Sequence, residues 1–321
     1  MDFFTHILMG ILIPIPLLGH IPPETIIFIW LMSFLPDFDI ILEPIQRKTK
    51  NYMFSHKAAS HSIIIGFIFT GCISFVMKLF YPNMSIFFAW LGGIIGYSMH
   101  TFLDFFASSK IPIFYPITRK EYRFLGDKAV NPLLALISIV NNLILIIFFI
   151  FRANISIFYV LFYIFILSYI TYFGYRAIVK LYIQYKLPKN SLFIPEINPI
   201  FYMIYTFKES EEVIDYRLIK KRILSSKSKE LIHKSYNVDS IEIEFFQKAI
   251  EYSKSYRFFY KWNAIIPLFK YENGCIKVKI ILAEAFSRKR SYTITIIFDK
   301  NTKEILKKDE NFKSLKDWDL N

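Results

Sequence analysis

The sequence predicts a multi-span all-α membrane domain of about six transmembrane helices followed by a small soluble α+β domain. Three observations predict it. The 321 residues are 54% hydrophobic and 19% aromatic, with a mean hydropathy of +0.37, a balance that excludes a disordered chain and an ordinary water-soluble globule. Apolar stretches of membrane-crossing length recur through the first 189 residues. Beyond Lys189 they give way to short alternating segments punctuated by turns. Charge follows the same division: residues 1–189 carry 15 Lys or Arg against 8 Asp or Glu, and residues 190–321 carry 24 against 18.

Four stretches, 62–80, 86–106, 132–151 and 155–179, approach or exceed the roughly 20 apolar residues that a membrane helix needs. Two more, 3–18 and 24–42, are shorter or interrupted, the first by Pro14 and Pro16 and the second by Pro36, Asp37 and Asp39. In-plane or re-entrant helices are the alternative for these two. Loop charge favours six crossings. Arg47, Lys48, Lys50 and Lys57 fall between the second and third stretches, and Lys110, Arg119, Lys120, Arg123 and Lys128 between the fourth and fifth. The intervening links near His20 and Asn83 are nearly uncharged. Basic loops face the cytoplasm, so both termini are expected there, in the cell membrane.

The N-terminal residues lack a basic n-region and a small-residue cleavage site, and are read as a retained start. The net charge of +13 does not call for nucleic acid, because in the first part it gathers between apolar runs as charge at one bilayer face does. Cys72 and Cys275 form no disulfide framework or thiolate metal motif.

The second domain, residues 190–321, opens on a linker region marked by Pro195 and Pro199. Segments 201–207 and 213–219 flank a polar turn, and 264–271 and 276–281 flank Asn273-Gly274, a strong hairpin indication. Residues 292–298 add a third alternating strand to that group, 240–260 reads as helix, and the chain from Lys300 reads as a charged tail. An antiparallel sheet with one or two helices is expected. His233 reads as a surface residue.

Polar residues in the first domain, 1–189, carry the functional argument. His6, His56, His61 and His100 occur with Asp2, Asp37, Asp39 and Asp104, residue types that are costly in a membrane setting unless paired, hydrated or metal-bound. With the N-terminus inside, all four of the first spans deliver a His or Asp to the cytoplasmic face. Asp2 and His6, like His100 and Asp104, are four apart and share a helix face. Pro36 should end the second span and turn Asp37 and Asp39 toward a common pocket. His56 and His61 are five apart and cannot point together from one regular helix. Nitrogen and oxygen donors without thiolate suit zinc, with manganese possible, as one or two ions. A buried polar network that sets helix packing is the other reading. Gly92, Gly93 and Gly96, on an apolar helix, suit close helix contact.

The pattern resembles a known family. Residues 1 to about 130 are similar to the YbcI/YdjM-like family of membrane-bound, metal-dependent hydrolases, on four motifs in order. These are Asp2-Phe3-Phe4-Thr5-His6, Leu35-Pro36-Asp37-Phe38-Asp39, Ser55-His56-Lys57-Ala58-Ala59-Ser60-His61 and Gly96-Tyr97-Ser98-Met99-His100-Thr101-Phe102-Leu103-Asp104. The family most often has Arg-Gly where this chain has Lys57-Ala58, which keeps the charge and loses the planar fork. The arrangement also looks loosely like helical zinc phospholipases C.

The resemblance and the residues together lead to the expectation of a hydrolase in the lipid bilayer that acts on an ester or phosphoester, lipid-linked ones included, through metal-activated water. His6, Asp37, His61, His100 and Asp104 are the expected metal ligands. Asp39 and His56 are the expected catalytic pair for orienting water and moving a proton. Asp2, Lys57 and Arg119 are expected behind the ligands or on an anionic headgroup. The rival reading is a non-enzymatic membrane protein with a structural metal or polar site and a cytoplasmic partner-binding domain. Transport is disfavoured because the fifth and sixth spans offer little beyond Asn141 and Asn142.

Overall fold

The computed structural model describes residues 1–49, 51–107, 109–225, 227–253 and 263–320. Contacts divide the chain into two compact units, Met1–Arg176 and Ala177–Asn321.

The first unit is helical: α1 (Phe3–Leu12), α2 (Pro23–Phe34), α3 (Glu43–Thr49), α4 (Ile63–Phe80), α5 (Ile86–Phe106), α6 (Pro132–Ile150) and α7 (Ile155–Lys186), the last running on past the unit's end. Among the described residues five helices are long and apolar enough to cross a membrane: Pro23–Gln46, Ile63–Phe80, Ile86–Phe106, Pro132–Ile150 and Ile155–Lys186; Phe3–Leu17 is shorter. Prolines explain the short one. Pro14 and Pro16 stop α1 and leave a 3-10 turn at Ile15–Leu17, because a proline ring removes a donor and clashes with the preceding turn.

Polarity sorts the faces of α5 in the sense a bilayer requires. Ala89, Gly92, Gly93, Gly96, Tyr97, His100 and Asp104 form a buried stripe, recurring at three and four residues. Phe87, Phe88, Leu91, Ile95 and Phe102 face outward. The glycines let α2 and α5 approach closely. A Cβ on Gly92 would lie 2.4 Å from Ile29 Cδ1, and one on Gly96 would lie 2.8 Å from the Ile29 carbonyl oxygen. That crossing, as expected from the glycine spacing, brings the end of α2 beside His100.

Start positions are capped locally. Asp2 caps α1 through Thr5 N–H, Ser62 caps α4 through Ile64 and Ile65 N–H, and Asn131 caps α6 through Leu133 and Leu134 N–H, with Pro132 at the first helical position. Asp127 anchors α7 to the preceding loop: its carboxylate accepts from Arg176 Nη2 at 2.7 Å, Tyr172 Oη at 2.6 Å and Asn131 Nδ2 at 3.0 Å, all in the interior.

The second unit holds two four-stranded antiparallel sheets, each in sequential order. One comprises β1 (Ser191–Pro195), β2 (Phe201–Glu209), β3 (Val213–Arg222) and β4 (Ser228–Asn237); the other comprises β5 (Ile265–Glu272), β6 (Cys275–Leu282), β7 (Arg290–Asp299) and β8 (Ile305–Ser314), with α8 (Ile241–Ser253) between them in sequence. Buried side chains of both sheets and α8, among them Met203, Leu218, Phe245, Val278 and Phe298, form one core.

Both expected hairpins are present, the second around Asn273-Gly274. Three strands lie where none was expected: β1, β4 and β8. The last replaces the expected charged tail, its Lys and Glu residues paired in register against the apolar β7. An edge strand buries one face at most, so composition reads as polar while the backbone completes the ladder. The expected helix over 240–260 is observed as Ile241–Ser253; its remainder lies outside the described residues. His233, on β4, pairs with Asp215 at 2.8 Å.

Candidate metal centre

Asp37, His61, His100 and Asp104 each offer a ligand atom, and those atoms all lie within 4.8 Å of one another. The elements explain the convergence. From Leu35, with Pro36 its second residue, the chain tightens into a 3-10 segment, Leu35–Leu42. With three residues per turn, Asp37 and Asp39 point about 120° apart. Asp37 accordingly faces the cluster, and Asp39 faces the loop before α4.

His100 is held in a ligating tautomer. Its Nδ1 lies 2.9 Å from the Ser33 carbonyl oxygen, an acceptor only, so Nδ1 carries the proton and the neutral ring presents the Nε2 lone pair to the pocket. Ser33 is in the last turn of α2, three residues before Pro36, which has no N–H to offer its carbonyl. His100 Nε2 lies 3.3 Å from His61 Nε2 and 3.5 Å from Asp37 Oδ1.

His61 is oriented through a relay. Ser60 Oγ donates to Asp39 Oδ2, so its lone pairs face His61 Nδ1 at 3.0 Å and His61 Nδ1 is the donor. His61 Nε2 then points at Asp104 Oδ2, 3.0 Å away, and Asp37 Oδ1, 3.5 Å away. Burial opposes protonation of His61, but its hydrogen bonds with Asp104, Asp37 and Asp39 outweigh burial and push its pKa up to about 9. Tyr97 donates from its hydroxyl to the Ser60 carbonyl, tying the relay to α5.

His6 stacks on His100, ring centroids 3.8 Å apart, and its Nε2 lies 3.5 Å from Asp104 Oδ1. Among the described residues neither ring nitrogen of His6 has a hydrogen-bond partner, although the residue is buried. Such an orphaned imidazole is costly, and its lone pair would be satisfied by a bound ion. Two imidazole lone pairs and two carboxylates converging in a buried space, with His6 beside them, fit a divalent ion of the nitrogen- and oxygen-preferring kind.

The remaining expected residues take other places. Asp39 sits behind the converging group, accepting from Lys57 N–H at 2.8 Å and from Ser60, with His56 Nδ1 2.5 Å from its other oxygen. His56 is 26% exposed and stands between this carboxylate and solvent. Lys57, at φ +58°, turns its Nζ to within 2.8 Å of Asp104 Oδ2, and the Met1 amino group also pairs with Asp104. Asp2 does not join His6; it caps α1 and accepts from the Thr5 hydroxyl, which meets Ser138 and, through it, Tyr169. Arg119 is exposed over the Tyr52 ring. His20 is exposed and apart from the cluster.

Sequence reasoning missed Ser60, Tyr97 and Asp127. Ser60 and Tyr97 were visible as polar neighbours of ligand histidines, at one residue and three residues. Asp127 gave no indication, because its partners Tyr172 and Arg176 come from 45 and 49 residues away.

Comparison with known proteins now adds a family. One curated relative, the uncharacterized protein YfhP of Bacillus subtilis (strain 168), is 28% identical over 131 residues, which cover 37% of this chain and 38% of that protein. The chain thus matches well under half the length of that relative. No solved structure matches. The model of the family described as YdjM inner membrane protein matches residues 1–178, a segment that holds all four motifs and extends the expected limit near residue 130 through α6 and into α7. With the motif residues gathered in one buried pocket and more than half of the chain matched, the protein belongs to the YdjM inner membrane protein family.

Proposed function

We propose that this membrane protein is a metal-dependent hydrolase that cleaves an ester or phosphoester carried on a lipid, in a pocket facing the cytoplasm. The observation that supports this most is the approach of Asp37, His61, His100 and Asp104 ligand atoms to within 4.8 Å of one another, with the unpartnered His6 imidazole against them. These five residues would hold the ion, zinc by preference of the donor set and manganese as the alternative. When bound, a divalent ion supplies Lewis acidity and a water nucleophile near neutral pH.

The protein's own groups do the rest. Asp39 and His56 form a carboxylate–imidazole pair at 2.5 Å, and the partial exposure of His56 suits it to pass a proton between pocket and solvent. Lys57 brings a cation to the pocket wall and attracts an anionic group on the substrate; Arg119 is a second cation for a headgroup. A lipid substrate is supported by an apolar cleft of ≈ 620 Å³ between α1, α2 and α6, lined by Phe4, Ile11, Trp30 and Ile146 among others. Its lining includes Phe4 and Ile7, on either side of His6 in the sequence of α1. The basic loops after α2 and α5 support the cytoplasmic orientation.

A non-catalytic polar site is the second reading, favoured by one observation: Asp104 already pairs with Lys57 and the Met1 amine. The deciding experiment measures metal content and turnover on the detergent-purified chain, against a panel of phosphoesters and lipid esters, beside His61→Ala and Asp104→Ala. Stoichiometric metal and turnover, both lost in the two variants, are expected. Unchanged metal content in the variants rejects the ligand assignment; retained metal with no turnover across the panel rejects the hydrolase.

A further inference from the structure

The second unit contains a cleft of ≈ 720 Å³, within the size range of small-molecule sites, and nothing in the membrane pocket accounts for it. We infer that this cleft binds a nucleoside phosphate.

Charge is the first argument. Lys220, Lys229, Arg288, Lys289 and Lys316 line the cleft, against Glu196, Glu230 and Asp319. Lys220 has a carboxylate partner, Glu196, at 3.6 Å. The other four cations make no ion pair among the described residues. Two of the five are placed at a cost. Lys220 and Lys229 are direct cross-strand partners on β3 and β4, where like charges repel.

The turn between β6 and β7 is the second argument. Ser287 and Arg290 exchange both backbone hydrogen bonds, at 2.8 and 2.9 Å, closing a two-residue hairpin. Its central residues are Arg288 and Lys289, at φ +48° and +60°. A turn with both central residues left-handed favours Asn-Gly, and the same domain uses Asn273-Gly274, at φ +50° and +75°, for its β5–β6 turn. Long cationic side chains therefore occupy a strained turn at the cleft's edge where an unstrained solution exists in the same fold.

Flat apolar walls are the third. Phe201 and Trp318 line the cleft, and each already draws an ammonium group to its ring: Lys220 Nζ is 4.8 Å from the Phe201 centroid and Lys279 Nζ is 4.5 Å from that of Trp318. Cations for a phosphate together with aromatic surface for a base select a nucleoside phosphate over a bare anion. The inference rests on the cytoplasmic orientation proposed above, which would put this domain in the compartment that holds such ligands.

The test uses the full chain in detergent with EDTA, so that phosphate cannot report through the membrane metal pocket. A fluorescent ATP analogue is titrated and competed with ATP, AMP, inorganic phosphate and dihexanoyl phosphatidylglycerol. Saturable binding displaced by ATP is expected, with inorganic phosphate much weaker. The double variant Arg288→Asn/Lys289→Gly should weaken binding about tenfold or more while its thermal midpoint holds or rises, since Asn-Gly suits the turn. Trp318→Leu should weaken ATP more than phosphate. Absence of saturable binding in the millimolar range, or equal binding by the double variant, overturns the inference. Displacement by phosphate as effective as by ATP removes the nucleoside, and displacement by phosphatidylglycerol alone reassigns the cleft to a lipid headgroup.

Discussion

Asp39→Ala offers a sharp test of how the metal centre is built, because Asp39 contributes none of the four converging ligand atoms. Its carboxylate accepts from Lys57 N–H and Ser60 Oγ on one oxygen and faces His56 Nδ1 with the other. Alanine removes all three. Ser60 then loses the acceptor that directs its lone pairs to His61 Nδ1, and His61 loses the preference for the tautomer that ligates through Nε2. Groups that orient a ligand imidazole in this way are worth about 10- to 100-fold in metal affinity, equivalent to about 1.4–2.8 kcal/mol at 1.4 kcal/mol per decade. Asparagine can keep its oxygen toward Lys57 and Ser60 and its amide toward His56, so Asp39→Asn should lose less than tenfold, while Asp37→Ala, which deletes a ligand, should lose more than Asp39→Ala. The assay is competition for zinc against a chromophoric chelator on purified protein. Wild-type affinity in Asp39→Ala, or a greater loss there than in Asp37→Ala, would refute the relay.

Other outcomes follow from the same geometry. Because the metal-free His61 binds its proton with a pKa of about 9, proton and metal compete. Apparent zinc affinity should fall by roughly one decade per pH unit below about 9 from this group, a slope that His61→Asn flattens in a pH series of the same titration. For the metal-free fold the sign is opposite: the raised pKa stabilises it below the ordinary value of 6.5, and that contribution disappears as pH rises through about 9, as read from thermal unfolding across pH. Asp127→Ala should cost about 3–5 kcal/mol, because it removes the carboxylate that neutralises the buried Arg176 guanidinium, whereas replacing both residues with apolar ones of similar volume should restore much of the loss; unfolding in detergent checks both. Gly96→Ala places a methyl group 2.8 Å from the Ile29 carbonyl oxygen, which forces α2 and α5 apart at a cost of about 1–3 kcal/mol; zinc affinity should drop with it, since the Ser33–His100 contact lies one turn further along, and unchanged affinity would show that this crossing does not set the site.

The amino-acid sequence by itself determined the apolar helices, the family motifs and the identity of the ligand candidates, since each rests on local properties: hydropathy over a window, a helical spacing of four, a proline that ends a turn. It also determined the hairpin at Asn273-Gly274, where two residues dictate the backbone. Tertiary structure alone decided which carboxylate joins the converging group and which stands behind it. Asp37 and Asp39 are chemically identical and two residues apart, and only the 3-10 winding after Pro36, packed against α5, turns one to the ion pocket and the other to Ser60. The same holds for Asp2, which was grouped with His6 by spacing but spends its oxygens on Thr5. β8 and the Asp127–Arg176 pair were invisible for a related reason: a polar edge strand and a buried ion pair owe their positions to partners distant in the chain, and no local pattern records those partners.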